Sequence, residues 1–68
     1  MLTDVSTGGT YQSSDGEKWV VESQGVKGNG YPRDVVFARG KTITPEYPQG
    51  QEIKVNKKWF RKTFTKVT

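Results

Sequence analysis

The 68-residue sequence contains no cysteine and no histidine. Disulfide bonds and thiolate metal sites are therefore excluded, and the commonest zinc ligand and the commonest general base are both missing. Its apolar runs fall far short of the roughly 18 residues that a membrane span needs. The first ten residues lack a basic segment followed by an apolar stretch, so no secretory signal is expected. These absences predict a cytoplasmic location and no membrane partner.

The chain does contain aromatic rings and positive charge. Hydrophobic residues make up only 31% of it, but 12% of the chain is aromatic, and large rings build a compact core where aliphatic residues are scarce. Eleven Lys and Arg residues against seven Asp and Glu residues give a net charge of +4. This mixture is too aromatic and too balanced for a disordered protein. We expect one small folded domain over residues 10–68, preceded by a flexible arm over residues 1–9.

Short strands separated by turn residues recur along the chain. Alternating apolar and β-branched residues predict strands near residues 10–12, 17–23, 33–39, 51–55 and 64–67. Asp15-Gly16 predicts a two-residue hairpin turn, because this pair readily adopts the positive φ that such turns need. Glycines, an asparagine and a proline predict a loop over residues 25–32. The alternation also places Trp19 and Phe37 in the core.

The segment after the fourth strand carries a different pattern. Asn56 is a favourable N-cap, and residues 57–62 contain no helix breaker. Phe60 and Phe64 are four positions apart and would share one apolar helical face, with Trp59 at its rim. We expect one or two helical turns followed by the last strand. A single longer helix to the end of this segment is the competing interpretation.

The order of these elements predicts a mainly β fold. Four or five short antiparallel strands, a tight hairpin and one short C-terminal helical turn are typical of a small SH3-like barrel, the type found in Tudor and KOW modules. The alternative is a three-stranded sheet packed on one C-terminal helix. A chain this short has one core and little stability to spare, and we expect a monomer or a weak homodimer.

No arrangement of residues indicates catalysis. The serines have no histidine to activate them, and the carboxylates are scattered singly, which gives neither an acid–base pair nor a cation site. Gly40-Lys41-Thr42 matches the end of a phosphate-binding loop, but the glycine that this motif requires five residues earlier is Val35. We therefore expect a non-enzymatic protein with no cofactor and no metal.

Positive charge is concentrated in the last quarter of the chain. Residues 54–68 contain six basic residues and no acidic one, whereas the remaining residues carry a net charge of −2. Such a segment attracts phosphates or an acidic protein surface, and phosphate contacts make binding depend on salt. The alternative is a solvated face that keeps the protein soluble. The predicted phosphate contacts are Lys54, Lys57, Lys58, Arg61, Lys62 and Lys66.

Three aromatic side chains are predicted at or near the surface. Tyr31 and Tyr47 each precede a proline in a loop, and Trp59 follows two lysines. An exposed ring beside basic groups can stack on a nucleobase or fill a pocket on a partner. The sequence therefore predicts a nucleic-acid-binding module of low specificity, for DNA or RNA. The alternative is a protein-interaction module that docks on another protein and modulates it.

The pattern resembles a small family of short, uncharacterised proteins from the accessory regions of tailed-phage and prophage genomes of enteric bacteria. The residues that carry the resemblance are Tyr11 before Asp15-Gly16, Trp19-Val20-Val21, the segment 35–39, and the ending 59–67. The resemblance implies a phage or prophage accessory protein in the cytoplasm of a bacterial host cell, where a host protein is a further possible partner. It implies no activity and no functional residue.

Overall fold

The computed structural model describes residues 4–25, 28, 30 and 32–67. Within these residues, strands and one helix follow each other along the chain as β1 (Thr10–Gln12), β2 (Lys18–Gln24), β3 (Val35–Gly40), β4 (Glu52–Asn56), α1 (Lys57–Thr63) and β5 (Thr65–Lys66). All strand pairs are antiparallel and belong to one sheet with the order β4-β3-β2-β1-β5.

The predicted mainly β class is confirmed. The first four strands form a meander, and the chain then passes through α1 so that β5 pairs with β1 at the far edge of the sheet. A bulge between Val21 and Ser23 shifts the register of β2 against β3, and such bulges bend a sheet. This arrangement is consistent with a small SH3-like barrel that remains open between its edge strands, β4 and β5. The alternative of a three-stranded sheet on one helix is wrong.

The first hairpin is confirmed, but its turn is longer than the predicted two residues. Residues 13–17 connect β1 and β2. The Gly16 N–H donates to the Ser13 carbonyl at 3.0 Å, and the Ser13 N–H donates to the Glu17 carbonyl at 2.8 Å. Gly16 has a φ of 91°, which glycine adopts without strain. The Asp15 side chain stabilises this longer turn by accepting the Ser13 hydroxyl and the Glu17 N–H.

Aromatic rings fill the centre of the core. The Tyr11 ring meets the Phe60 ring edge-on at 5.3 Å between centroids, and the Phe60 and Phe64 rings stack at 4.2 Å. Trp19 is half-buried and packs against this cluster. The buried hydrophobic residues are Val5, Tyr11, Val21, Val36, Ala38, Phe60 and Phe64.

The side of β3 that faces the core differs from the prediction. Val36 and Ala38 are fully buried, whereas Phe37, which the sequence placed in the core, is half-buried on the opposite side of the sheet. The rings described above already occupy the centre of the core. The strand next to them therefore contributes its small side chains, and the large ring of Phe37 takes the other face.

Residues 4–9, called the N-terminal segment below, lie against the sheet. Val5 is only 3% exposed, and its carbonyl accepts the side-chain amide of Gln24 at 2.6 Å. The Ser6 N–H donates to the Tyr11 hydroxyl at 2.8 Å. The sequence predicts that the arm over residues 1–9 is flexible. The position of residues 4–9 does not test how they move, so this flexibility stays a prediction.

The short C-terminal helix is confirmed. The side chain of Asn56 accepts the N–H groups of Lys58 and Trp59 at 2.9 and 3.1 Å, as an N-cap does. Phe60 is the buried residue of α1. The backbone is extended at Phe64, with φ −99° and ψ 152°, so the helix ends there and the competing longer helix is wrong.

Gly25 lies where the chain leaves β2. Its N–H donates to the Val35 carbonyl at 2.9 Å, and a Cβ atom at this position would lie 1.5 Å from the Pro32 carbonyl oxygen. Only glycine fits so close an approach between two backbones. The predicted loop over residues 25–32 lies partly outside the described residues.

Candidate functional site

The helix α1 turns most of its basic side chains away from the core. Since a helical turn takes 3.6 residues, Lys58 and Lys62 follow one another on the side opposite the buried Phe60, and both are exposed. Arg61 is half-buried beside them. Lys57 is also half-buried, and its ammonium donates to a backbone carbonyl at 3.0 Å. We call Lys58, Arg61 and Lys62 the basic surface.

The other two predicted phosphate contacts lie apart from α1. Lys54 is exposed on β4, and Lys66 is exposed on β5, where it pairs with Tyr11. Because β4 and β5 form opposite edges of the sheet, no strand pairing joins these two lysines. The sequence grouped all six cations by their position in the chain, and the structure groups those of α1.

The ion pairs found within the described residues both belong to Arg39. Its guanidinium contacts Glu22 at 3.0 Å and Glu52 at 2.6 Å, so it connects β2, β3 and β4. The hydrogen bond to Glu22 raises the pKa of Arg39, with further Coulombic support from both glutamates. The guanidinium of Arg39 also donates to the carbonyls of Gln49 and Gly50. Arg39 is therefore engaged in the sheet, whereas the basic surface has no carboxylate partner in the described structure.

A groove runs past β4 between the first hairpin and α1. It consists of two adjoining cavities, of about 400 and 340 Å³, that share Asp15, Trp19 and Gln51 in their walls. Two further carboxylates line the first cavity, which we call the acidic end. Aromatic and aliphatic side chains line the second together with polar residues of the hairpin turn, and we call it the aromatic end.

The acidic end combines carboxylates with two rings. Asp15, Glu17 and Glu46 line it together with Trp19 and Tyr47. The hydrogen bond from the serine hydroxyl of the turn lowers the pKa of Asp15, and the Glu17 N–H adds to this effect. The ring of Tyr47 is 43% exposed. Tyr47, predicted to stack on a nucleobase, thus lies among carboxylates that would repel a phosphate backbone.

The aromatic end contains a half-exposed tryptophan. Trp59 is 49% exposed, and its ring meets the Phe64 ring edge-on at 5.9 Å. Trp19 meets Phe64 from another side at 6.4 Å. Ile53 and Val55 of β4 complete this wall. The ring of Trp59 therefore packs against Phe64 and is also open to solvent, as the sequence predicted for a residue at the rim.

Two site predictions have a different outcome. Tyr31, the third proposed stacking ring, lies outside the described residues. The acidic end was missed, because Glu46 is distant in sequence from the hairpin residues Asp15 and Glu17, and the acids look isolated along the chain. Only the loop between β3 and β4 brings them together, and no local pattern signals that contact.

Comparison with family models, with curated proteins and with solved structures yields no match for this chain. Within the described residues, no group of three or more potential ligand side chains is arranged to hold a metal ion. None of the helices in this part of the chain has the length and apolar character needed to cross a membrane. The candidate site therefore rests on the basic surface and the groove.

Proposed function

We propose that the protein is a non-enzymatic nucleic-acid-binding module of low specificity that holds phosphates on its basic surface. The observation that carries this proposal is the set of exposed cations on α1 that have no carboxylate partner in the described structure. Lysines without a carboxylate partner need not break an ion pair before they contact a phosphate, and their contacts release condensed counterions.

The shape of α1 supports low specificity. The helix has seven residues, about two turns, and its exposed side carries Lys58 and Lys62. Lysines mostly contact phosphates, and α1 contains no asparagine or glutamine that could pair with an adenine. Trp59, on the flank of the same helix, offers a ring on which an unpaired base can stack. Contacts to the phosphate backbone with occasional base stacking predict that the protein prefers single strands to duplexes. They predict little preference for any particular sequence.

The test is fluorescence anisotropy of labelled single-stranded DNA, duplex DNA and RNA, titrated with the protein at several salt concentrations. Binding should weaken steeply with salt. In the variant Lys58→Ala/Lys62→Ala, the slope of log K against log salt on duplex DNA should become shallower by about 1.8, since two phosphate contacts are lost.

A matched variant, Lys18→Ala/Lys41→Ala, removes the same charge from two exposed lysines outside the basic surface. It should change the slope much less. An equal loss in both variants would mean that net charge, not this surface, governs binding. Absence of binding even at low salt would refute the proposal.

Docking on a protein partner is the second candidate function, and one observation favours it. Trp59 exposes half of its surface in the groove, and aromatic residues of this kind often carry the binding energy of protein interfaces. The resemblance to phage and prophage accessory proteins suggests a protein of the bacterial host as the partner. Retention of a protein from host lysate after nuclease treatment, and its loss with Trp59→Ala, would separate this function from the first.

A further inference from the structure

The groove carries the opposite charge to the rest of the protein. Its acidic end is lined by Asp15, Glu17 and Glu46, and none of the described residues that line either end is a lysine or an arginine. The chain as a whole has a net charge of +4. Any charge complementary to the groove is therefore positive, and a phosphate backbone would be repelled at the acidic end.

The rings at the acidic end suit a cation as well as the carboxylates do. Trp19 and Tyr47 line the same cavity as the three acids. A guanidinium or ammonium group gains from the face of an aromatic ring and from a carboxylate at once. The hydrogen bond from the Thr42 hydroxyl to the Glu17 carboxylate leaves the other lone pairs of that group available for a ligand.

Among the described strands, β4 has a free edge beside the groove, where no other strand pairs with it. The Gly40 N–H donates to the Gln51 carbonyl at 2.7 Å, so these two residues form a hydrogen-bonded pair at the end of the ladder between β3 and β4. This pair shows which residues of β4 point their backbone groups towards β3. In an antiparallel ladder, alternate residues point their N–H and C=O groups to the other side. Glu52 and Lys54 therefore direct theirs to the free edge of the sheet, where an extended chain can pair with them.

We propose that the groove binds an extended segment of a partner protein that carries an arginine or lysine together with a large apolar residue. The cationic side chain enters the acidic end, and the apolar side chain packs on Trp59 at the aromatic end. The backbone of the segment lies beside β4. This inference rests on protein docking, the second candidate function. It does not depend on phosphate binding by the basic surface, although both proposals use the ring of Trp59.

The experiment selects binders from a display library of short random peptides on the immobilised full chain. The selected peptides should combine Arg or Lys with a large apolar residue, although the protein itself is positively charged. One labelled peptide from the selection is then titrated by anisotropy. The variant Glu17→Gln/Glu46→Gln should bind it about fivefold to tenfold more weakly, and Trp59→Ala about tenfold more weakly.

Glu22→Gln is the matched control, because it removes a carboxylate that pairs with Arg39 and does not line the groove. It should leave peptide affinity unchanged. The double variant Glu17→Gln/Glu46→Gln should also bind DNA at least as well as the original protein, since it loses negative charge. These two results separate the groove from the basic surface.

The other outcomes refute the inference in distinguishable ways. Selected peptides without basic residues, or an unchanged affinity in Glu17→Gln/Glu46→Gln, would overturn the inference that the bound segment carries an arginine or lysine. Protein docking would then remain a candidate function. Failure to select any peptide would overturn both protein docking and the inference about the bound segment. Self-association in sedimentation that Lys58→Ala/Lys62→Ala abolishes would identify a second copy of the chain as the occupant, and would equally overturn the proposal.

Discussion

Replacing Phe60 with leucine tests how α1 packs on the sheet. Phe60 is fully buried, and its ring contacts the rings of Tyr11 and Phe64 at centroid distances of 5.3 and 4.2 Å. The neighbouring Trp59 is 49% exposed and serves as the matched position. The same substitution, to leucine, is made at both positions so that only the packing differs.

The expected losses follow from these contacts. Phe60→Leu removes two ring pairs worth about 0.5–1.5 kcal/mol each and leaves a small cavity, which gives a loss of about 2–3 kcal/mol in the free energy of unfolding. Trp59→Leu affects one ring pair at a half-exposed position and should cost less than about 1 kcal/mol. The total free energy of unfolding for a chain of this length is about 3–10 kcal/mol. Phe60→Leu therefore removes a large part of the stability.

Urea unfolding followed by far-UV circular dichroism measures both effects, since this signal comes mainly from the backbone and not from the tryptophan that one variant lacks. In thermal unfolding, Phe60→Leu should lower Tm by about 10–20 °C. Equal losses in the two variants would mean that α1 is rotated about its axis from the orientation described. A loss below about 1 kcal/mol for Phe60→Leu would refute the central packing of its ring.

Three further changes have defined outcomes. Gly25→Ala should destabilise the protein by more than about 2 kcal/mol in urea unfolding, because the new Cβ would meet the Pro32 carbonyl oxygen; a neutral result would contradict this close approach. Tyr11→Phe removes one of the hydrogen bonds that hold the N-terminal segment, and should cost about 1 kcal/mol and speed exchange of the Ser6 amide by NMR; unchanged exchange would argue against that tether. Asp15 should titrate below its ordinary pKa in carboxyl NMR, and Ser13→Ala should raise that pKa. Because the folded pKa is lowered, the stability that Asp15 contributes is present above the unfolded pKa and is lost as pH falls through the folded value; a titration unaffected by Ser13→Ala would contradict the assigned cause.

Features encoded by adjacent residues could be predicted from the sequence. The cap follows from the polar side chain of Asn56. The short length of α1 follows from the β-branched residues after Phe64, which favour extended structure. The hairpin around Asp15-Gly16 was expected for the same reason. Its exact length was not, because a serine hydroxyl and a carboxylate together stabilise a longer turn.

Features decided by distant residues could not be predicted in the same way. The run from Val35 to Ala38 is apolar on both faces, so its alternation does not tell which face is inward. Rings from β1 and from the end of α1 make that choice by filling the core. The acidic end of the groove depends likewise on the loop that carries Glu46 to the hairpin. Both outcomes require three-dimensional proximity that no local pattern contains.

The pairing of β5 with β1 has a consequence for biosynthesis. Tyr11 lies opposite Lys66, so this contact joins two points separated by most of the described chain. Contacts of such long range form slowly, since the loop between them must first lose its conformational freedom. During translation, β1 therefore emerges from the ribosome before β5 exists, and its outer edge stays unpaired until β5 has also left the ribosome. A chain that ends at Phe64, which keeps the core rings and lacks β5, should accordingly be far more sensitive to proteases than a chain that includes β5.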